Sequence, residues 1–551
     1  MTYPTIPLAQ SIIEICRAKG ITNIVISPGS RNAPLTIGFA TNTAFKCYSI
    51  ADERCAAFFA TGMAQQLKKP VAVLCTSGSA LLNYYPAVAE AYYSQIPLVV
   101  ISADRPHDKI DIGDGQTIRQ ENVYANHIVY SANLQEEASP ENDNKINVAI
   151  EKAISEKGPV HINAPFEEPL YDTTDELTVE PKILDVSFEN SFSEDLSPFV
   201  EKWNLAKKKL VLVGVNQPNT IDKEILERFA EDPSVVVMTE TTSNIHHRKF
   251  LNNIDVIITP FKEEDFKAFC PDILLTFGGM VVSKRIKAFL RKYKPHDHWH
   301  IDTLRAYDTF GVLTKHFLAE PNTFLNRFLP ATHFVESSYN QRAQEIKAYR
   351  KLKHDEYMTQ IPFSDFKVFE SVLATLPENS QIQISNSSAV RYMQLFDIKP
   401  SVEVFCNRGT SGIDGCTSTA IGAAVASSKE NILITGDVSF FYDSNALWNS
   451  YIPKDFKILL INNGGGGIFR ILPGHKETAV FNTYFETEHN LTGEHLAKMF
   501  GFEYSQAHNL EELNTSLEAF FSKSDSPKIL EVFTPVKEND QILKQYFKEL
   551  A

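Results

Sequence analysis

Apolar and polar positions alternate in blocks along this chain. Residues 5–19 carry apolar side chains at helical spacing and stop at Gly20, which predicts a helix with a glycine at its C-terminal end. Short apolar runs follow: ITNIVISPG, CYSIAD, VAVLCTSG, PLVVISAD and, near residue 160, VHINAPFEEPL. Helix-like segments separate them, and strands that alternate with helices predict a parallel sheet covered on both faces. The same rhythm returns in KKLVLVGVN, VVVMTET, DILLTFGG and HWHID, and again in QIQISNS, VEVFCNRG, NILITGD, FKILLINN and KILEVFTP. Residues 171–205 are acidic and lack sustained periodicity, as a linker would. Residues 320–362 read as a crossover and an exposed, charged helix. The expected architecture is α/β, with three doubly wound parallel-sheet domains over residues 1–180, 195–335 and 355–551. The outer two share a strand–helix rhythm, as two copies of one architecture would.

The ends of the runs carry the chemistry. Ser30-Arg31-Asn32, Asp52-Glu53-Arg54, Thr76-Ser77-Gly78-Ser79 and Asp104-Arg105 all fall on one rim of the first sheet. In the last block, the run Ile432–Ile434 ends at Gly436-Asp437, and the run Ile458–Ile461 ends at Asn462-Asn463 and four glycines. Two parallel strands joined by a helix set Asp437 beside Asn463 in the crevice beyond the sheet. One carboxylate, one amide oxygen and the Gly465 carbonyl make a hard oxygen set for Mg²⁺, or for Mn²⁺. Gly464 to Gly467 let backbone approach a diphosphate. An ordinary strand–helix unit in which Asp437 caps the helix is the plainer alternative. For Glu53 the plainer alternative is a charge favoured at a helix N-terminus.

A length of 551 residues allows roughly three domains of ordinary size. A formal charge of −15 argues against a nucleic-acid binder, and it requires local Arg and Lys clusters for any anionic substrate. Seven cysteines without a C-x-x-C pair, no basic leader and no membrane-length apolar run point to a reducing, cytoplasmic compartment. No G-x-G-x-x-G is present; Gly278-Gly279 reads as a tight turn or the remnant of a dinucleotide site. His246-His247 lacks carboxylates at ligand spacing and reads as surface loop.

The 432–469 stretch resembles the diphosphate-binding motif of thiamine diphosphate (ThDP) enzymes, with Val438 in place of the usual third glycine. SPGSRNAPL (27–35), ADERCAAFFATG (51–62), TSGSALLNYYPAVAEA (76–91), ISADRP (101–106), GQTIRQ (115–120), SKR (283–285), SNSSAVR (385–391) and NRGTSGIDG (407–415) narrow the likeness. Together they resemble the 2-succinyl-5-enolpyruvyl-6-hydroxy-3-cyclohexene-1-carboxylate synthase family of menaquinone biosynthesis. That resemblance implies decarboxylation of 2-oxoglutarate on ThDP and addition of the succinyl carbanion equivalent to isochorismate. It implies that Glu53 is the catalytic acid at N1′ of the cofactor. Ser387 would reach the diphosphate, and Ile413 would bend the cofactor. Ser30, Arg31, Arg105, Gln116, Lys284 and Arg285 would face isochorismate, and Arg391 and Arg408 the 2-oxoglutarate carboxylate. Ile468 and Phe469 would wall the pocket. Gly115 stands where the family carries Asn. The resemblance further implies a homodimer or homotetramer, with Glu53 and Asp437 serving one cofactor from different chains. Another ThDP carboligase, of the acetohydroxyacid synthase kind, and a non-catalytic protein of the same fold are the competing readings.

Overall fold

A computed structural model describes residues 2–184, 192–472 and 474–551. The central strands form where the apolar runs are longest. Leu98–Asp104 is buried at every position, which only a strand covered on both faces requires. The first sheet orders its six strands Lys46–Ser49, Asn23–Ile26, Val71–Cys75, Leu98–Asp104, Val160–Pro165 and Tyr130–Asn133, all parallel. The last sheet runs Glu403–Phe405, Gln381–Ile384, Asn431–Gly436, Lys457–Asn462, Lys528–Phe533 and Glu503–Ala507, also all parallel. Taken in chain order, both sheets have the order 2-1-3-4-6-5, so the two outer units share one connectivity. The middle sheet has five parallel strands, Val235–Met238, Lys209–Val213, Ile273–Phe277, Asp297–Ile301 and Leu313–Phe317, in the order 2-1-3-4-5. All three are doubly wound α/β sheets.

Three strands of the parallel sheets escape the hydrophobic pattern: Tyr130–Asn133, Leu313–Phe317 and Glu503–Ala507. Each lies at a sheet edge. An edge strand faces solvent on one side, so its sequence loses the continuous apolar run that marks an interior strand; Glu503–Ala507 buries only Ala507. The span 171–205 is not wholly irregular. Thr173–Thr174 pairs antiparallel with Tyr3–Pro4, and Ser197–Leu205 is helical. Residues 185–191 of that expected linker lie outside the described residues. At Gly278-Gly279 the tight-turn reading holds. Gly279 N donates to Val215 O at 2.7 Å, and a Cβ at Gly214 would sit 1.8 Å from Gly279 O. The middle sheet's own crevice is filled by this backbone.

The first and third units of the chain meet where helix Glu53–Leu67 crosses helix Cys416–Ala426. Glycines set the approach: a Cβ at Gly62 would lie 2.0 Å from Thr419 O, and one at Gly422 would lie 1.9 Å from Phe59 O. Buried Glu90 adds a polar clasp, accepting Gly409 N at 2.7 Å and Thr410 N at 2.6 Å.

Candidate active site

In an open parallel sheet, ligands bind beyond the carboxyl ends of the strands, where the strand order reverses. In the third unit that point lies between Gln381–Ile384 and Asn431–Gly436. Ser387 follows the first strand and Asp437 follows the second. Asp437 is the first residue of helix Asp437–Tyr442 and is buried. Its Oδ1 accepts Val438 N at 2.7 Å, and its Oδ2 accepts Gly465 N at 3.0 Å. The helix-cap alternative and the ligand reading therefore share one carboxylate. The Gly465 amide draws the glycine loop onto it.

The two asparagines that close Lys457–Asn462 differ in a way the sequence does not show. Asn462 is saturated by protein: Nδ2 donates to Leu491 O at 2.9 Å and Glu531 Oε1 at 2.7 Å, and Oδ1 accepts Gly464 N at 3.1 Å. Asn463 donates only through Nδ2, to Asp365 Oδ2 at 2.9 Å, and its Oδ1 is buried without a partner. A buried amide oxygen left open beside a carboxylate is what a cation ligand requires. The Gly465 carbonyl accepts Gly467 N at 3.0 Å and keeps a second lone pair. Gly464 and Gly465 have φ of +75° and +154°, and a Cβ at Gly465 would come 2.7 Å from Glu486 O. The residues present fit a divalent cation carrying a diphosphate. His489 also approaches, its Nε2 3.4 Å from Asp437 Oδ2. His489 and Asp365 belong to no motif and were not expected from the sequence.

Asp365 is buried, and burial pushes its carboxyl up to about 6. Besides Asn463 it accepts Thr534 Oγ1 at 2.5 Å, while its own N–H donates to Asn539 Oδ1 at 2.8 Å. An ionised carboxylate only accepts, so Asp365 holds the amide nitrogen of Asn463 toward itself and turns the oxygen into the site. Asp365→Leu is expected to weaken Mg²⁺-ThDP binding about 10- to 100-fold, the usual effect of losing a ligand's supporting partner. Titration calorimetry reads this directly; unchanged affinity would leave Asp365 with a packing role only.

Ser387 stands at φ +73°, ψ −127°, ahead of helix Ser388–Met393. Arg391 Nη1 donates back to Ser387 O at 2.7 Å. Arg408 Nη1 donates to Asn386 Oδ1 at 2.6 Å, and Asn386 Nδ2 ties Asn407 O and Gly412 O at 2.7 Å each. Burial, then the neighbouring Arg408, lower the pKa of Arg391. Ile413 is half-buried, its carbonyl accepting Ser439 Oγ at 2.7 Å. Ile468 and Phe469 open helix Ile468–Ile471 just after the glycines, with the Phe469 ring exposed.

A second group gathers on the first sheet's rim. Glu53 begins helix Glu53–Leu67, which Asp52 caps through Cys55 N, and its Oε2 accepts Asn83 Nδ2 at 3.3 Å. Arg31 is buried and donates to Phe166 O at 3.0 Å and Glu168 Oε1 at 3.3 Å. Arg105 donates to Gly115 O at 3.1 Å, so the residue lacking the family's Asn side chain contributes its backbone. Burial lowers the Arg31 pKa and Arg105 lowers it further, which places two guanidinium groups together. Gln116 is exposed at φ +54°, and buried Gln120 holds Gly78 beneath it by accepting Gly78 N at 2.8 Å. Ser30 is exposed.

Lys284 and Arg285 fall elsewhere. They are exposed on the first turn of helix Lys284–Lys292, with the Arg285 guanidinium 4.8 Å from the Phe547 ring. Arg285 and Arg391 both sit on helices. Within one chain, among the described residues, no hydrogen bond or ion pair joins the Glu53 group to Lys284, Arg285, Arg391, Arg408 or Asp437.

Comparison with known proteins agrees with this geometry. Residues 6–126 match the family described as thiamine pyrophosphate enzyme, N-terminal TPP binding domain, and residues 387–532 match its C-terminal TPP binding domain. Residues 195–384 match the middle domain of thiamine pyrophosphate enzymes. A 2-succinyl-5-enolpyruvyl-6-hydroxy-3-cyclohexene-1-carboxylate synthase of Flavobacterium johnsoniae is 69% identical over 100% of both chains. The chain belongs to this synthase family. Synthases of the same name from Christiangramia forsetii and Porphyromonas gingivalis are 53% and 38% identical, covering 99% and 98% of this chain and 99% and 96% of their own. The two TPP-binding matches make ThDP the cofactor, and they contain Glu53 and Asp437 respectively. Among the described residues, no helix is long and apolar enough to cross a membrane. All seven cysteines are free.

Proposed function

We propose that this chain converts 2-oxoglutarate and isochorismate to 2-succinyl-5-enolpyruvyl-6-hydroxy-3-cyclohexene-1-carboxylate, with release of CO₂. One observation carries the substrate choice. Two guanidinium groups, Arg391 and Arg408, are anchored on consecutive residues, Ser387 and Asn386, at the crevice that presents Asp437. Asp255 and Glu240 offset part of this charge, and two neighbouring guanidinium groups still suit a further carboxylate, which each pairs through parallel hydrogen bonds. Pyruvate has no second carboxylate to offer them; 2-oxoglutarate has.

Bound ThDP supplies a nucleophilic carbon and an electron sink for decarboxylation. The chain's residues place and protonate. Asp437, Asn463 and the Gly465 carbonyl would hold Mg²⁺, or Mn²⁺, for the diphosphate, and Ser387 would reach the diphosphate. Glu53 would hold a proton for the pyrimidine ring and so favour the tautomer that activates the cofactor. Ile413 would pack against the bound cofactor, and Ile468 and Phe469 would keep water from the pocket. Ser30, Arg31, Arg105, Gln116, Lys284 and Arg285 take isochorismate.

We further propose that the active unit is a homodimer or a homotetramer, in which the first-unit group of one copy completes the third-unit group of another. Exposed Tyr442, Trp448, Phe485 and Met499 supply apolar surface for such a contact. Labelled CO₂ release from 2-oxoglutarate against pyruvate, then product analysis with isochorismate, tests the reaction; release from pyruvate alone would favour the acetohydroxyacid synthase kind. Light scattering tests the assembly, and an active monomer would refute it.

Arg391→Met keeps the apolar stem and deletes the charge. Loss of a hydrogen bond to a charged group corresponds to roughly 10- to 150-fold in kcat/KM. The fall is expected with 2-oxoglutarate, with isochorismate affected far less. A fall for isochorismate alone would reverse the assignment of the two carboxylate sites.

A further inference from the structure

One segment of the middle unit, residues 240–255, bonds both to the start of helix Lys284–Lys292 and to the third unit. Its first residue, Glu240, is 3% exposed. Glu240 Oε2 accepts Val282 N and Oε1 accepts Ser283 N, both at 2.7 Å. Ser283 caps helix Lys284–Lys292 by accepting Ile286 N at 3.2 Å, and its hydroxyl donates to Asp255. A buried and a half-buried carboxylate, Glu240 and Asp255, therefore fix the helix start that carries Lys284 and Arg285.

Four residues on from Glu240, Asn244 turns through φ +51° and reaches the other way. Its Oδ1 accepts Val404 N at 2.8 Å and its Nδ2 donates to Val404 O at 2.9 Å. One side-chain amide thus pairs with strand Glu403–Phe405 as a neighbouring strand would, four residues before Arg408. Asn253 makes the third attachment. Its Nδ2 donates to Gln394 O at 3.2 Å and Phe396 O at 2.8 Å, just past helix Ser388–Met393, which carries Arg391. The charges agree with the bonds: Arg285 and Arg391 both act on Asp255, and Arg408 acts on Glu240.

We infer that residues 240–255 are a positioning bracket that fixes Lys284 and Arg285 against Arg391 and Arg408, so that the middle unit sets substrate affinity and leaves cofactor affinity alone. Simple docking of two domains needs only apolar contact, whereas burying carboxylates is costly unless every bond is made. The bonds that reach toward the four cations go to Val282 and Ser283 before Lys284, to Val404 before Arg408, and to Gln394 and Phe396 after Arg391. None goes to Asp437, Asn463 or the glycine loop. The inference rests on the substrate assignment proposed above.

Two variants test it. Asn244→Asp keeps the acceptor for Val404 N and loses the donor to Val404 O; Glu240→Gln keeps shape and loses charge and one acceptor. With the other substrate saturating, Asn244→Asp is expected to raise KM for 2-oxoglutarate roughly 3- to 10-fold, and Glu240→Gln to raise KM for isochorismate about 10-fold or more. In both, kcat and the calorimetric affinity for Mg²⁺-ThDP stay near wild type. Equal KM changes for both substrates, or cofactor affinity falling with KM, would reduce the segment to general structural support and overturn the bracket. Wild type turning over neither substrate would instead sink the functional reading. Amide hydrogen exchange then judges the bracket alone: it predicts faster exchange at 282–286 in Glu240→Gln and at 404–408 in Asn244→Asp, and unaltered exchange in both refutes it.

Discussion

Asp437→Ala is expected to abolish binding of Mg²⁺-ThDP, and with it all turnover. The variant removes the charged ligand of the set, so the loss should exceed the ~10- to 100-fold that follows loss of a ligand's supporting partner. Asp437 stands at the rim of the sheet, yet it is 2% exposed and accepts Val438 N and Gly465 N. Alanine therefore also frees the glycine loop. Asp437→Asn separates the two effects, because its amide oxygen can still accept Gly465 N while the charge is gone. Both variants should fail to bind the cofactor in titration calorimetry, and only alanine should lower the melting temperature appreciably. Wild-type affinity in either variant would mean that the crevice between Gln381–Ile384 and Asn431–Gly436 is not the diphosphate site.

Glu53→Gln tests the other half. It keeps the length of the side chain and its contact with Asn83, and it removes only the exchangeable acid proton. General acid–base groups contribute typically about 10²–10⁴-fold. Turnover should fall by that order while ThDP still binds. Exchange of the cofactor's C2 proton, followed by NMR, should slow in parallel. Wild-type exchange in the variant would leave Glu53 with only its favourable position at the start of helix Glu53–Leu67.

Interior strands were legible because burial on both faces writes a continuous apolar run, as in Leu98–Asp104. Their polar ends were legible for the same reason, since the run stops where the crevice begins; Asp437 and Asn463 were found that way. The edge strands Tyr130–Asn133, Leu313–Phe317 and Glu503–Ala507 were not legible, because half-exposure dilutes the signal. Nor were Asp365, Glu240 and Asn244. Their work is to bond a distant backbone or a ligand's amide, and such partnerships lie far apart in the chain: 98 residues from Asp365 to Asn463, and 160 from Asn244 to Val404. No spacing announces them. The choice between Asn462 and Asn463 likewise needed the hydrogen-bond network, since neighbouring residues of one type look alike in sequence.

The crossing of Glu53–Leu67 over Cys416–Ala426 restricts how this protein can drift. With no room for a Cβ at Gly62 or Gly422, the helix that starts at Glu53 and the helix that packs on the last sheet lock into a single lever. A methyl group at either glycine would pry both half-sites out of register at once. The same lock leaves adaptation a narrow route: a lineage could retune which acids it accepts by altering the middle unit, but not by letting the outer two slide.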